Sequence, residues 1–313
     1  MAVSDYREID PASAVTARVV CGDAFTLIDE VEDDSVDLLL TSPPYWGLRE
    51  YGLPHNDDVL ETWQAQGLAT SRIPPYDWYQ RSGGALGREP YPDWYVAHLV
   101  EFFMRAKRAL RTTGSIWVNL GDTYFARWSS IRDAGRQGLL DDRRRRRTPS
   151  GGYLHDKQLL MIPARFAIAM QDAGWILRND VIWAKPTVMP RPENDRLRLS
   201  HEHWFHFVQR SRVGRPRYYY DRSAAEPDGI DVLHVPTRAG RDGHSATFPP
   251  DLVRPRIASS SPAGGLVLDP FCGSATTLLE AIDLGRSALG FEHSPSFAGA
   301  AATAVRRRLQ RGH

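Results

Sequence analysis

Residues 266–292 have the sequence LVLDPFCGSATTLLEAIDLGRSALGFE, which predicts a strand, a glycine-containing loop, a helix and a second strand. We expect strands at Leu266–Asp269 and Ser287–Phe291, with a helix over Thr276–Leu284 between them. Parallel strands joined through a helix are the unit from which α/β sheets are built. This segment therefore indicates an α/β fold with a largely parallel sheet.

The loop after the first of these strands has the chemistry of a nucleoside-cofactor site. Gly273 lets a ligand approach the backbone closely, and a helix N-terminus favours a carboxylate or a phosphate. Glu292 stands 19 residues later (292 − 273), where an acidic residue can bind ribose hydroxyl groups. The third glycine of a dinucleotide fingerprint is absent, which disfavours a pyrophosphate. The pattern therefore favours a nucleoside cofactor that carries a carboxylate and no phosphate.

The rest of the chain continues the alternation of strands and helices. Residues 53–92 show no convincing helical or strand period and predict a long loop or insertion. The other predicted elements are strands at Arg18–Cys21, Val36–Thr41, Ser115–Asn119, Trp175–Trp183, His203–Gln209 and Arg217–Tyr220, and helices at Ala24–Val31, Trp94–Arg111, Pro163–Ala173 and the C-terminus.

A proline-rich turn, Ser42-Pro43-Pro44-Tyr45, follows the strand Val36–Thr41 directly. Adjacent prolines fix φ and remove N–H donors, so the turn is rigid and offers the Ser42 hydroxyl and the Pro43 carbonyl as acceptors. Two acceptors beside an aromatic ring suit a planar group that bears an exocyclic amine, such as a flipped nucleobase. The alternative is an ordinary Pro-Pro turn that ends a strand.

Together the proline-rich turn and the segment Asp269–Thr277, called the cofactor loop below, resemble the motifs of amino-directed DNA methyltransferases that use S-adenosylmethionine. The resemblance is to the permuted, beta-type class of the N4-cytosine/N6-adenine family, in which the catalytic motif precedes the cofactor motif. It implies a Rossmann-like methyltransferase fold with a mostly parallel, seven-stranded-type sheet, circularly permuted, with an inserted target-recognition segment. Cys21–Ala24, Ile182–Pro186, His201–Glu202 and His244–Pro249 also follow the family pattern.

The resemblance also assigns roles to individual residues. The catalytic residues would be Ser42, Pro43, Pro44 and Tyr45. S-adenosyl-L-methionine would be bound by Asp23 at the adenine, by Glu292 at the ribose, and by Thr41, Asp269, Phe271, Cys272, Gly273, Ser274 and Thr276. Ala275 stands where the family usually has glycine, and it predicts slight repacking near the methionine part of the cofactor.

The permutation implies a catalytic and cofactor-binding domain that is discontinuous in sequence, because the C-terminal strands must join the sheet of Arg18–Cys21. Both termini should then be close in space. We expect this domain to comprise residues 1–54, 91–210 and 244–313, with loop insertions at 55–90 and 126–155 and the target-recognition segment at 211–243.

DNA contacts are expected from arginine-dense stretches. Residues 185–222 contain nine basic and four acidic residues, a net charge of 9 − 4 = +5, beside three consecutive tyrosines. The run Arg143–Arg147 suits attraction to the phosphate backbone better than base reading. The predicted DNA-binding residues are Lys185, Arg191, Arg196, Arg215, Arg217, Arg143 and Arg145.

The identity of residue 42 indicates which base is methylated. In the family, serine at this position is commoner among enzymes that methylate cytosine N4, whereas Asp or Asn is commoner for adenine N6. The resemblance therefore predicts direct, in-line transfer to the N4 atom of a flipped cytosine, without a covalent enzyme intermediate. The alternatives are adenine N6 in DNA, an amine of RNA, a protein glutamine amide, and a DNA-binding protein without turnover.

Composition excludes several other classes of protein. The two cysteines cannot form a disulfide framework or a four-ligand zinc site. His201, Glu202, His203 and His206 lack a completing ligand, so no metal site is predicted. The chain carries a net charge of +1, so total charge predicts no partner; 36 of its 39 basic residues are arginine (39 − 3 lysines), which suits phosphate recognition or a GC-rich genome.

No hydrophobic leader or apolar run of about 20 residues is present, so we expect a cytoplasmic, nucleoid-associated protein encoded by a bacterium or phage. The resemblance implies double-stranded DNA as partner, no membrane, and allows a restriction endonuclease as functional partner. One sequence leaves open the recognition sequence, the oligomeric state and whether a cognate restriction enzyme exists.

Overall fold

The computed structural model describes residues 4–9, 15–47, 54–67, 72–125, 128–130, 145–147, 151–186, 194–225, 228–237 and 248–311. The chain divides into two compact units. Unit 1 contains residues 1–43, 105–120 and 174–313, and unit 2 contains residues 44–104 and 121–173. These divisions do not coincide with the predicted domain boundaries, and the assignment of 211–243 to target recognition stays a prediction.

Unit 1 is built on one nine-stranded sheet. Its strands are β1 (Ser4–Ile9), β2 (Thr16–Cys21), β3 (Val36–Thr41), β4 (Leu110–Leu120), β7 (Trp175–Ala184), β8 (His201–Gln209), β9 (Val232–His234), β10 (Leu266–Asp269) and β11 (Ser287–Glu292). They lie side by side in the order β1-β2-β11-β10-β3-β4-β8-β7-β9. The C-terminal strands β10 and β11 thus lie between β2 and β3.

Most neighbours in this sheet run parallel, as predicted. The five central strands from β2 to β4 are parallel to one another. Strand β8 is antiparallel to both β4 and β7, β1 is antiparallel to β2, and β9 is parallel to β7. The sheet has nine strands instead of the predicted seven because β1 and β9 extend its two edges.

In its described residues, unit 1 has four α-helices: α1 (Ala24–Ile28), α6 (Pro250–Ser260), α7 (Thr276–Asp283) and α8 (Pro295–Arg311). The core is formed by apolar strand residues such as Val19, Leu40 and Val267 together with Ile257 of α6 and Leu278 of α7. Buried alanines at positions 298, 301 and 302 line α8, and their small side chains let that helix approach its neighbours closely. Burial of this continuous apolar cluster is the main stabilising contribution to unit 1.

Unit 2 contains the helices α2 (Val59–Ala65), α3 (Tyr76–Arg81), α4 (Pro92–Ala106, whose last two residues count with unit 1) and α5 (Ile162–Asp172). The short strands β5 (Trp128–Ser130) and β6 (Arg145–Arg147) pair antiparallel. Its core is aromatic: the Trp63 ring lies 4.6 Å from that of Trp78 and 6.2 Å from that of Trp94.

The prediction of a long loop over residues 53–92 is wrong, because α2 and α3 lie within it. These helices have seven and six residues, too short to show a helical period or to form in isolation. Buried aromatic side chains such as Trp63, Tyr76 and Tyr79 stabilise them through tertiary packing.

Two other expectations need correction. Arg217–Tyr220 is not a strand, although the Tyr219 amide donates to the Thr113 carbonyl at 2.9 Å. The helix predicted to reach Arg111 ends at Ala106, and β4 starts at Leu110. The sequence did not predict β1 or α6, since α6 begins at Pro250 and contains Pro255. Within the described residues, no helix is long and apolar enough to cross a membrane.

Candidate active site

Four neighbouring parallel strands of unit 1 end in or just before residues that the sequence singled out. Asp23 follows β2, Thr41 ends β3, Asp269 ends β10 and Glu292 ends β11. Since the carboxyl ends of parallel strands meet at one edge of a sheet, the topology brings these side chains to the same edge. This is where open α/β sheets bind ligands.

Asp269 is the centre of a buried hydrogen-bond network at this edge. Its Oδ1 accepts from the Thr41 hydroxyl at 2.6 Å and from the Phe271 amide at 3.1 Å, and its Oδ2 accepts from the Thr277 hydroxyl at 2.6 Å. Burial raises the pKa of Asp269 to about 6, although the hydrogen bonds from Thr277 and Thr41 oppose that shift. The carboxyl group therefore links β3, β10 and α7, and its oxygens are engaged within the protein.

The loop after Asp269 reaches α7 through a left-handed residue. Ala275, the residue before α7, has φ 67° and ψ 21° and is fully buried. Its amide donates to the Cys272 carbonyl at 2.7 Å. The sequence predicts slight repacking around the extra methyl group, and the left-handed backbone conformation also disfavours alanine. No side chain caps the N-terminus of α7, which suits a carboxylate ligand.

Glu292 holds the cofactor loop against the end of β11. Its Oε2 accepts from the Gly273 amide at 3.1 Å, and its Oε1 accepts from the Ser294 amide at 2.8 Å. Burial raises the pKa of this carboxyl group. Each oxygen keeps acceptor capacity, which suits the hydroxyl groups of a ribose. Glu292 and the uncapped α7 together fit a nucleoside that carries a carboxylate.

The two thiols near this edge are buried. Burial and the neighbouring Glu292 carboxylate raise the pKa of both Cys21 and Cys272. A Cβ atom on Gly290 would lie 2.9 Å from the Cys272 sulfur, so Cys272 packs directly on the β11 backbone. A thiol in this environment is a poor nucleophile.

Asp23 has a structural contact that the sequence analysis did not assign. Its Oδ1 accepts from the amides of Phe25 at 3.0 Å and Thr26 at 3.4 Å, which makes it the N-cap of α1. Its Oδ2 lies 3.8 Å from the His293 Nδ1. The sequence signal for this N-cap is an aspartate directly before a short apolar helix. Its predicted role at the adenine stays a prediction.

The boundary between the two units falls inside the predicted catalytic tetrapeptide, between Pro43 and Pro44. In unit 1, Ser42 and buried Pro43 directly follow Thr41 and therefore the Asp269 network. Within unit 2, the Tyr95 hydroxyl donates to the Pro44 carbonyl at 2.8 Å. Each half of the tetrapeptide is therefore held within its own unit. Ser42 and Pro43 follow the hydrogen-bonded Thr41, and Pro44 is hydrogen-bonded to Tyr95.

The predicted DNA-binding residues are partly described. The Lys185 ammonium donates to Glu202 and lies 4.4 Å from the centre of the Trp183 ring. Arg215 and Arg217 are exposed, and Arg196 donates to the carbonyl of its neighbour Leu197 at 3.3 Å. Arg145 belongs to β6, whereas Arg143 and Arg191 lie outside the described residues.

The histidine-rich strand β8 has structural contacts. His203 Nδ1 lies 2.9 Å from the Asp180 carboxylate. The His206 ring stacks on Trp117 with centroids 4.4 Å apart. Burial, together with Arg178 and Arg256, lowers the pKa of His206 to about 3, so its ring is neutral at physiological pH. Within the described ranges, no group of three or more His, Cys, Asp or Glu residues is placed to hold a metal ion.

The chain is similar in sequence to known methyltransferases. The family model described as DNA methylase, of the N6/N4 class, matches residues 36–303. Type II methyltransferase M.XycI of Xanthomonas campestris pv. cyanopsidis is 34% identical over 292 residues, covering 90% of this chain and 85% of that protein. Type II methyltransferase M.SmaI of Serratia marcescens is 31% identical over 310 residues, covering 94% and 92% respectively.

Solved structures show the same fold. The PvuII DNA methyltransferase, described as cytosine-N4-specific, aligns with a TM-score of 0.63 and 18% identity over 95% of this chain and 93% of that one. A DNA modification methylase of Thermus thermophilus, solved with S-adenosyl-L-methionine, aligns with a TM-score of 0.54 and 20% identity over 92% and 94%.

Proposed function

This chain belongs to the N6/N4 family of DNA methylases, and from that membership we propose that it methylates the N4 atom of cytosine in double-stranded DNA. It is a DNA methyltransferase, and S-adenosylmethionine is its methyl donor. The choice of cytosine over adenine rests on Ser42, whose neutral hydroxyl is the residue type commoner among cytosine-N4 enzymes.

We assign the cofactor site to the edge formed by β2, β3, β10 and β11. Glu292 binds the ribose hydroxyl groups, Asp23 the adenine, and the N-terminus of α7 the carboxylate. Thr41 and Asp269 act by fixing the loop, because their polar atoms are hydrogen-bonded to each other. The full proposed set is Asp23, Thr41, Asp269, Phe271, Cys272, Gly273, Ser274, Thr276 and Glu292.

The catalytic work falls to residues 42–45. When bound, S-adenosylmethionine supplies an electrophilic methyl group on its sulfonium sulfur. The Ser42 hydroxyl and the Pro43 carbonyl accept hydrogen bonds from the N–H groups of the cytosine amine, which favours a tetrahedral nitrogen with an available lone pair. The Tyr45 ring would stack on the flipped base and restrict its orientation.

The observation that carries this proposal is the 2.6 Å hydrogen bond between Thr41 and Asp269. It joins the residue before Ser42 to the residue that opens the cofactor loop, although 228 positions separate them in the sequence. The proposed acceptor of the target amine is therefore one residue from the proposed methyl-donor site.

Mass spectrometry of nucleosides tests the proposal directly. Unmethylated DNA is incubated with the protein and S-adenosylmethionine, digested to nucleosides and analysed. N4-methylcytosine supports the proposal; N6-methyladenine overturns the choice of base. No mark despite tight DNA binding overturns turnover itself.

Replacement of Ser42 by alanine tests the proposed catalytic role. We expect turnover to fall on the order of 100-fold, because the target amine loses one of its two acceptors, while affinity for S-adenosylmethionine stays within about twofold. Calorimetric titration with S-adenosylhomocysteine measures that affinity. Loss of cofactor binding in Ser42→Ala would show that Ser42 belongs to the cofactor site instead.

The named relatives are type II methyltransferases, so we also propose a restriction endonuclease of the same sequence specificity as functional partner. Sequencing of methylated positions in DNA from a host that expresses the protein would give the recognition sequence. Resistance of that DNA to an endonuclease cutting the same sequence is the expected result, and cleavage at fully methylated positions would contradict it.

A further inference from the structure

Unit 2 contains a buried Glu–His pair to which the proposed function assigns no role. Glu89 and His98 are both completely buried. The His98 Nδ1 lies 3.0 Å from the Glu89 Oε1, and the His98 Nε2 lies 3.1 Å from the Pro74 carbonyl oxygen. The rings of Tyr76 and Tyr79 surround His98 at centroid distances of 5.3 and 5.0 Å.

The hydrogen-bond partners of His98 determine which of its ring nitrogens carry a proton. A carbonyl oxygen only accepts, so the His98 Nε2 carries a proton and donates to Pro74. One further proton lies between His98 Nδ1 and the Glu89 carboxyl group. Replacement of a buried polar pair by well-packed apolar residues is often neutral or stabilising, so stability alone does not explain this pair.

The Glu89 carboxyl group holds a loop that contacts the second half of the tetrapeptide. Its Oε2 accepts from the Gly87 amide at 2.8 Å. The Gly87 carbonyl in turn accepts from the Gly47 amide at 2.8 Å, and the Glu89 carbonyl accepts from the buried Trp46 indole at 2.9 Å. Gly87 has φ +85°, and a Cβ there would lie 3.2 Å from the Tyr45 carbonyl oxygen.

Helix α4 secures the same segment from a second point. His98 and Tyr95 lie one turn apart on α4, and the Tyr95 hydroxyl donates to the Pro44 carbonyl at 2.8 Å. The Tyr95 hydroxyl donates to the Pro44 carbonyl, while the Trp46 indole and the Gly47 amide donate to the carbonyls of Glu89 and Gly87. These three hydrogen bonds fix residues 44–47. Tyr45 lies between these fixed points.

We propose that Glu89 and His98 are positioning residues for methyl transfer, which hold the backbone of residues 44–47 so that the Tyr45 ring meets the target base. This inference rests on the proposed role of Ser42–Tyr45. The pair acts through Gly87 and touches neither the cofactor nor the base. A displacement of about 1 Å at a reacting centre can lower the rate on the order of 100-fold.

Variants of Glu89 separate positioning from general stability. Glu89→Ala removes the acceptor of the Gly87 amide, and we expect kcat to fall about 10- to 100-fold while affinity for S-adenosylhomocysteine stays within about twofold. Glu89→Gln keeps every hydrogen bond, because its amide oxygen accepts from Gly87 and its NH₂ group donates to the Nδ1 of a neutral His98. We expect Glu89→Gln to recover kcat to within about threefold of the wild type.

Trp63→Phe is the control, since it removes a partly buried hydrogen bond of 3.0 Å to the Arg72 carbonyl elsewhere in unit 2. Its kcat should stay unchanged, with all assays run below the melting temperature of each variant. Unaltered kcat in Glu89→Ala overturns the inference. So does equal loss in Glu89→Gln or in Trp63→Phe, or a parallel loss of cofactor affinity.

The Ser42→Ala variant distinguishes failure of this inference from failure of the proposed function. If Ser42→Ala loses turnover while Glu89→Ala keeps it, the tetrapeptide role stands and the positioning role fails. If Ser42→Ala keeps full turnover, the tetrapeptide role itself fails, and the positioning role fails with it.

Discussion

Ala275 has a left-handed backbone conformation, which glycine adopts without a steric penalty and alanine does not. The conformation is forced by the turn that carries the cofactor loop into α7. A left-handed residue other than glycine costs about 1 kcal/mol. The site therefore carries local strain that its contacts offset.

We predict that Ala275→Gly raises the free energy of unfolding by about 1 kcal/mol, because it relieves this strain. Urea unfolding monitored by circular dichroism measures the change. Ala281→Gly, inside α7, is the control and should lower stability by about 1 kcal/mol or more. Equal destabilisation by both substitutions would show that Ala275 is not strained.

The raised pKa of Asp269 predicts a pH dependence. The pKa is about 6 in the folded protein and 3.8 in the unfolded chain, so the folded state binds the proton more tightly. The stability contribution of Asp269 is therefore complete below pH 4 and is lost as the pH rises through 6. Against Asp269→Asn, the wild type should lose about 1–2 kcal/mol between pH 5 and pH 8. Urea unfolding at both values tests this, and a constant difference between the two proteins contradicts it.

Cys21 and Cys272 should both resist modification in the folded protein, because each thiol is buried and has a raised pKa. At pH 8 we expect labelling with a chromogenic disulfide reagent to be slower by on the order of 100-fold than in denaturant. Unfolded protein is the control, and both of its thiols should be labelled rapidly. Rapid reaction of one thiol in native protein would place it outside the core.

Helix α1 shows how contacts distant in sequence stabilise a short element. It has five residues, too few to persist alone, and depends on interactions at both ends. Asp23 caps its N-terminus. At the other end, the Arg108 guanidinium donates to the carbonyls of Ile28 at 2.9 Å and Val31 at 2.7 Å, and also contacts Asp33.

Arg108→Lys should therefore lower the free energy of unfolding by about 1–3 kcal/mol, because one ammonium group cannot reach the carbonyl and carboxylate acceptors together. Thermal unfolding detects the loss. Arg111→Lys is the comparison, since Arg111 makes a half-exposed 3.4 Å ion pair with Asp37; we expect a change under about 0.5 kcal/mol. Similar losses in both variants would contradict the role given to Arg108.

Sequence patterns predicted the central elements well and the peripheral ones poorly. Strands β3 and β10 start and end at the predicted residues, since strands buried on both faces appear as continuous apolar runs. The edge strand β1 and the short helices α2 and α3 lack such runs, because their stability comes from tertiary contacts.

In the candidate site, too, local sequence patterns identified some residues and missed the contacts between distant segments. The two motifs and Glu292 were identifiable because each is a local pattern next to a strand. The Asp269 network, the Arg108 contacts and the Glu89–His98 pair were not, since each links segments that local sequence cannot place together. Thr41 and Asp269 are 228 positions apart, and only the strand order brings them into contact.

For the whole molecule, the strand order decides which truncations the sheet can tolerate. Strands β10 and β11 fill the centre of the sheet, although they come last in the sequence. Strand β1 lies at an edge and pairs with β2 alone among the strands described.

Removal of residues 266–313 should abolish cooperative unfolding and binding of S-adenosylhomocysteine, because β2 and β3 lose the strands between them. Removal of residues 1–10 is the control, and should leave both properties in place with a modestly lower melting temperature. Circular dichroism and calorimetric titration measure them. A cooperative transition in the C-terminal truncation would contradict the importance given to β10 and β11.

The central position of the last strands also affects synthesis on the ribosome. Until residues 266–292 have emerged, the nascent chain carries β2 and β3 without the two strands that separate them, and their inward edges offer unpaired backbone groups. Such edges favour wrong strand pairing and aggregation. We therefore expect chaperones that bind nascent polypeptides to raise the yield of this enzyme, and slow translation before residue 266 to lower it.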